Sequence, residues 1–172
     1  EYNIKENKWK IFAHLKYGRS GCSVHIWKDK CYILGGISLN RTSLPLEIID
    51  LKTKESSIDE NIIISSFSSA SILVEINNKP YIIIAGGKIE KKTEILNKVF
   101  FYSIEDNIIK EQSSLNIERI YHSLVIYKNE LYCIGGHDKN ENTLLPYEKY
   151  NFKNNKWEIK DKIDISLSGS SF

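Results

Sequence analysis

All three arginines of the chain, Arg19, Arg41 and Arg119, have polar or aromatic neighbours. Tyr17 and Ser20 stand beside Arg19, Asn40 precedes Arg41, and Tyr121 and His122 follow Arg119. A guanidinium offers a planar fork of donors that suits two-point recognition of a carboxylate, and aromatic neighbours suit the centre of a contact surface. Catalytic sets are harder to assemble. His14, His25, His122 and His137 form no H-x-x-x-H or H-E-x-x-H pair, so no metal site is expected from them. His25 alternates with Val24 and Ile26 and reads as a hydrogen-bonded structural residue on a strand. Cys22, Cys31 and Cys133 are an odd number in no ligand spacing, which points to buried, inert thiols in a reducing compartment. No serine sits in G-x-S-x-G, and the adjacent carboxylates Asp59-Glu60 and Glu105-Asp106 point apart on a strand or into solvent in a turn. Asn40-Arg41-Thr42 has the form of a glycosylation sequon, a frequent accident in an asparagine-rich chain. No catalytic residue and no cofactor is expected.

The 172 residues are one domain's worth of chain, and 41% hydrophobic with 11% aromatic residues is enough to bury a core. With 24 basic against 22 acidic residues the formal charge is +2, too small a surplus to suggest a nucleic-acid backbone or an anionic bilayer as partner. No apolar run reaches the roughly 18–20 residues of a spanning helix, and the opening Glu1-Tyr2-Asn3-Ile4-Lys5 is not a signal peptide. A cytoplasmic location is the expectation. Methionine is absent, so the chain reads as a piece of something longer.

The elements that would position these residues repeat. An apolar run ends in a glycine pair three times, at Cys31-Tyr32-Ile33-Leu34-Gly35-Gly36, at Tyr81-Ile82-Ile83-Ile84-Ala85-Gly86-Gly87 and at Leu131-Tyr132-Cys133-Ile134-Gly135-Gly136, with spacings of 51 and 49 residues. A second apolar stretch precedes each across a short polar turn, the pattern of a hairpin. After each pair come a polar connection of variable length and another strand-like stretch, Leu46 to Asp50, Lys98 to Ser103 and Pro146 to Phe152. Each repeat therefore holds about four strands. Tyr150 and Trp157 are seven apart, as are Tyr2 and Trp9, and in that register Gly21 falls on Gly169 and Ser23 on Ser171. Glycines inside β-branched runs imply close backbone approach or positive φ, and no helical period follows them, so a phosphate-binding loop is not expected.

Four antiparallel strands per repeat, with Gly-Gly and Tyr/Trp at fixed offsets, resemble kelch repeats over the whole chain. The resemblance implies an all-β fold, a kelch-type β-propeller, here an arc of about three four-stranded blades with partial blades at each end. Residues 1–18 would close a preceding blade, 19–65, 66–115 and 116–165 would be repeats, and 166–172 would start another. The expected motif residues are Gly35, Gly36, Gly86, Gly87, Gly135, Gly136, Tyr2, Trp9, Tyr102, Tyr150 and Trp157. Ile49 and Ser56, then Tyr102 and Ile109, stand where the intact Tyr/Trp pairs would be, so packing there should be less aromatic. By the same resemblance the tryptophan wedges against a neighbouring blade.

In a meander of strands a, b, c and d, the b-to-c and d-to-next-a connections emerge on one face. Here that face would carry Ile37 to Pro45, Lys88 to Leu96 and His137 to Pro146, with d-to-a segments ending near Arg19, Ser66 and Arg119. Loops on a rigid scaffold are where binding residues concentrate. In the BTB-kelch adaptors of ubiquitin ligases, which this chain generically resembles, arginines before the innermost strand grip a partner's acidic peptide. The resemblance thus implies a protein or peptide partner, acidic by that analogy and linked to ubiquitin-ligase machinery if the parent is an adaptor. The contact residues it implies are Tyr17, Arg19, Ser20, Asn40, Arg41, Arg119, Tyr121, His122 and His137. A second reading stays open for Arg19 and Arg119, since a repeated arginine can equally tie blades together. The alternatives to an interaction module are a propeller enzyme acting on a sugar or small molecule, as some kelch folds are, and a structural or regulatory domain of a larger protein.

Overall fold

The computed structural model of the chain describes residues 1–40, 42–89, 94–162, 167 and 169. Every regular element among them is a strand. A hairpin of β1 (Tyr2–Asn3) and β2 (Lys8–Trp9) comes first. The first four-stranded sheet follows as β3 (Ser20–Trp27), β4 (Lys30–Ile37), β5 (Pro45–Asp50) and β6 (Ser56–Ile63). The second is β7 (Ala70–Ile76), β8 (Lys79–Ala85), β11 (Val99–Ser103) and β12 (Ile108–Gln112), with β9 (Lys88–Ile89) and β10 (Glu94–Ile95) forming a small ribbon inside its b-to-c connection. The third is β13 (Ser123–Tyr127), β14 (Glu130–Ile134), β15 (Pro146–Asn151) and β16 (Lys156–Lys162). All pair antiparallel in sequence order, as blades of a kelch-type β-propeller do.

Local sequence explains the hairpins. Ile76 pairs with Lys79 and Tyr127 with Glu130, leaving Asn77-Asn78 and Lys128-Asn129 as two-residue loops. Both central residues have positive φ in each, the primed turn that matches strand twist. The c-to-d turns share another device. Tyr102 and Tyr150 donate their hydroxyls to Asn107 and Asn155, five residues on, and Tyr2 does the same to Asn7. All three asparagines take positive φ, which asparagine tolerates better than most residues.

Packing between blades forms the core. Leu34, Leu46, Ile62, Ile64, Ile82 and Ile84 fill the first seam with Tyr32 and Tyr102, whereas Phe101, Tyr150 and Trp157 join Ile83, Val99 and Leu131 in the second. Each fully buried side chain of this size contributes about 1.5–3 kcal/mol. The sheet registers pair Tyr2 with Trp9, Ile49 with Ser56, Tyr102 with Ile109 and Tyr150 with Trp157, the four equivalences that the seven-residue spacing expects. Trp157 is 5% exposed and donates from Nε1 to the Ser113 carbonyl of the preceding blade at 3.1 Å, the wedge that the resemblance implies. Trp9, at 79% exposure, makes no such wedge.

The glycine pairs occupy equivalent environments. The first of each pair approaches the segment entering the next blade: a Cβ on Gly35, Gly86 or Gly135 would lie 2.9, 2.5 or 2.4 Å from the carbonyl oxygen of Ser66, Arg119 or Leu167. Gly36, Gly87 and Gly136 abut the start of their own innermost strand instead. All six have positive φ, so both space and backbone require glycine.

Candidate functional site

The d-to-a segments end at residues that are structurally equivalent across blades. Ser68 donates its N–H to the Gly21 carbonyl at 3.2 Å, Tyr121 to Ser68 at 3.4 Å and Gly169 to Tyr121 at 2.8 Å. A chain of backbone hydrogen bonds thus runs from blade to blade at the entry to each innermost strand. Gly21, Ser68, Tyr121 and Gly169 all have φ between 53° and 64°. Glycine adopts that conformation without strain, and tyrosine does not.

Tyr121 nevertheless stands there with its side chain 49% exposed. Reciprocal backbone bonds between Ile120 and His137, at 3.1 and 2.9 Å, bring the His137 ring edge-on to the Tyr121 ring, with centroids 6.4 Å apart at 88°. His137 Nδ1 lies 2.9 Å from the Glu141 carbonyl, which only accepts, so Nδ1 is the donor, and in the neutral tautomer that this selects, Nε2 is the acceptor. At the matching positions the first blade has Gly21 and Ile37 and the second has Ser68 and Lys88, paired through the same bridges. The third blade alone among the described ones builds an aromatic platform there.

The arginines behave differently from the contact-surface expectation. Arg119 is 0% exposed. Its guanidinium donates to Glu148 Oε1 at 2.9 Å, to the Gly135 carbonyl at 2.9 Å and to the Pro146 carbonyl at 3.4 Å. Arg19 repeats this with Glu47 at 3.1 Å, Gly35 at 3.2 Å and Pro45 at 3.0 Å, and its side chain is equally excluded from solvent. The two carboxylates also accept backbone N–H groups from the incoming segment, from Lys16 at 2.6 Å and from Asn116 and Ile117 at 2.6 and 3.2 Å. Each Arg–Glu pair therefore fastens the connection arriving from the preceding blade to strands b and c of the blade it enters. The structural reading of Arg19 and Arg119 holds, and their charges are already compensated, so neither guanidinium presents itself to a partner.

His122 is also removed from the surface. It is buried under Gly86, whose Cβ would meet its ring at 2.6 Å. Burial, with the nearby Arg119 charge, lowers its pKa to about 3, so it is neutral at ordinary pH. Tyr17, Ser20 and Asn40 are exposed, but no hydrogen bond or ring contact among the described residues joins them to Tyr121 and His137. Arg41 and Ser171 lie outside the described residues. His25 bonds Ser71 Oγ at 2.8 Å across the seam, the structural role expected of it. Cys31 and Cys133 are buried, burial pushing the Cys133 thiol up to about 12, while Cys22, in β3, is only half-buried, contrary to the expectation for it. Among the described residues no three His, Cys, Asp or Glu side chains are grouped to hold a metal ion, and no helix is long and apolar enough to cross a membrane.

Residues 118–160, which span the third sheet from Arg119 to β16, match the family model of the Kelch motif. No curated protein matches the chain.

Proposed function

We propose that the chain, whose residues 118–160 match the Kelch motif, is a protein-interaction module of the kelch-repeat kind that engages a peptide or folded partner through the face carrying its b-to-c and d-to-a connections. Kelch propellers commonly serve as such modules, and this reading assigns the chain no catalysis of its own. The observation that carries the proposal is Tyr121, whose ring is exposed from a left-handed backbone position that glycine or serine fills in the other described blades. Backbone strain kept at an exposed aromatic residue is a mark of a functional position, at a cost on the order of 1–3 kcal/mol. Tyr121 Oη and His137 Nε2 would supply the polar contacts, with Tyr17, Ser20 and Asn40 contributing further along the same face.

An acidic partner is no longer favoured by this site, because the expectation rested on guanidinium groups that Glu47 and Glu148 occupy. A partner offering a hydrogen-bond donor to His137 and an apolar face to Tyr121 fits better. The free thiols suit the cytoplasm.

The test compares partner capture by the native protein and by Tyr121→Gly. Glycine removes both the ring and the strain, so the variant should melt no lower than the native protein while losing a specific partner. Capture that is undiminished in Tyr121→Gly would refute the assignment.

A further inference from the structure

The two seams between blades end in clefts at the face opposite the glycine pairs, beside the a-to-b and c-to-d turns. In the second seam the cleft has a volume of about 360 Å³ and is walled by Tyr81, Phe101, Tyr150 and Phe152. Successive rings along this wall touch, with centroids 6.3 Å apart for Tyr81 and Phe101, 5.6 Å for Phe101 and Tyr150 and 4.9 Å for Tyr150 and Phe152. Such a volume and lining suit a small ligand.

The first seam shows what the polar end of this cleft is built to hold. There Asn107, whose Oδ1 accepts from Tyr102, donates from Nδ2 to the Asp59 carboxylate across the seam at 2.7 Å. Asn155 is the matching residue of the third blade. Its Oδ1 accepts from the Tyr150 hydroxyl and from Ser113 N–H, and among the described residues Nδ2 has no acceptor. The position of Asp59, opposite Leu46 in the first blade, is that of Gln112, opposite Val99 in the second. The second cleft therefore keeps the amide donor but not the carboxylate that the first seam supplies.

The charged groups lining the cleft, Lys110 and Asp106, sum with Lys79 beside Asp106 to one positive charge. Lys110 lines it and has no ion pair among the described residues. Asp106, the one acidic group in the lining, is held by Ser103 Oγ at 2.8 Å and faces Lys79 at 3.6 Å. We propose that this cleft binds a small carboxylate carried on an aromatic or similarly flat apolar body. The carboxylate sits on Asn155 Nδ2 and Lys110 beside Gln112, which holds the position that Asp59 has in the first seam, and the apolar body lies against Tyr81, Phe101 and Phe152. The site is independent of the Tyr121 platform.

Titrations of the protein with phenylacetate, acetate and phenethylamine, followed by NMR, test it. Phenylacetate should shift the side-chain amide resonances of Gln112 and Asn155, with acetate and phenethylamine about tenfold weaker, the loss expected from one missing charge-assisted contact or one missing ring. Lys110→Ala, at an exposed position that leaves folding intact, should weaken phenylacetate by a similar factor. Gln112→Asp rebuilds the first seam's carboxylate in place and should abolish binding. Phenethylamine binding as tightly as phenylacetate, silent amides at saturation, or unchanged affinity in both variants would overturn the proposal.

Discussion

Arg119 donates to Glu148 at 2.9 Å with neither side chain reaching solvent, and the pair is kept or lost as a unit across the blades. The first blade has Arg19 and Glu47 in the same places at 3.1 Å. In the second blade the two positions are held by Ser66 and Phe100: Ser66 accepts from Gly36 as Arg119 does from Gly87, and Phe100 pairs with Ile84 as Glu148 does with Cys133. Neither charge survives without its partner, as the cost of an uncompensated buried ion requires.

Removing one member should therefore be severe. Arg119→Ser and Glu148→Phe are each expected to lose about 3–5 kcal/mol in urea unfolding, because each leaves the other charge buried alone. The double variant Arg119→Ser/Glu148→Phe copies the second blade and should lose less than the sum of the singles. Additive losses would mean that the pair is not coupled.

The repeat was legible in the sequence because glycine pairs and the Tyr/Trp offset are local and recur at one period. The direction of the arginines was not. Their carboxylate partners lie 28 and 29 residues away on strand c, so nothing beside Arg19 or Arg119 announces them. The signal that could have found them is joint loss, since the repeat with Ser66 in place of arginine also has Phe100 in place of glutamate. The asparagine five residues after each c-strand tyrosine stands in the sequence too, at Asn7, Asn107 and Asn155, but asparagine is common in turns whatever its role, so the spacing alone does not mark it. The cleft of the second seam was beyond reach, since its walls come from two repeats and its character from what Gln112 replaces.

Glycine substitutions separate backbone strain from crowding. Gly86 and Gly169 have the same φ of 62° and 64°, but a Cβ on Gly86 would lie 2.5 Å from the Arg119 carbonyl, while Gly169 has nothing within 4 Å. Gly169→Ala should cost only the left-handed penalty of about 1–2 kcal/mol. Gly86→Ala should cost clearly more, since the blade-to-blade contact must open; equal midpoints in thermal melts would contradict the close approach.

The two motif tryptophans should part company in the same measurement. Trp157 is buried and bonded across the seam to Ser113, so Trp157→Ala is expected to lose about 3–5 kcal/mol. Trp9 is 79% exposed, and Trp9→Ala should stay within about 0.5 kcal/mol of the native protein. Comparable losses at both sites would show that Trp9 is buried in solution.

Acid should find His122. The folded protein keeps this imidazole neutral down to about pH 3, through burial first and the Arg119 charge second, whereas an unfolded histidine takes up a proton near its ordinary value of 6.5. Between those values the unfolded state binds more protons, so stability falls as pH drops through 6.5 and goes on falling until about 3. The slope from this one residue is at most about 1.4 kcal/mol per pH unit. His122→Ser removes the titration and brings in the residue type found at the matching Ser69 of the second blade. Its stability at neutral pH reports the packing lost under Gly86, and its stability below pH 6 should fall less steeply than that of the native protein. If the two proteins lose stability in parallel from pH 7 to pH 4, His122 is not the group that protonates on unfolding.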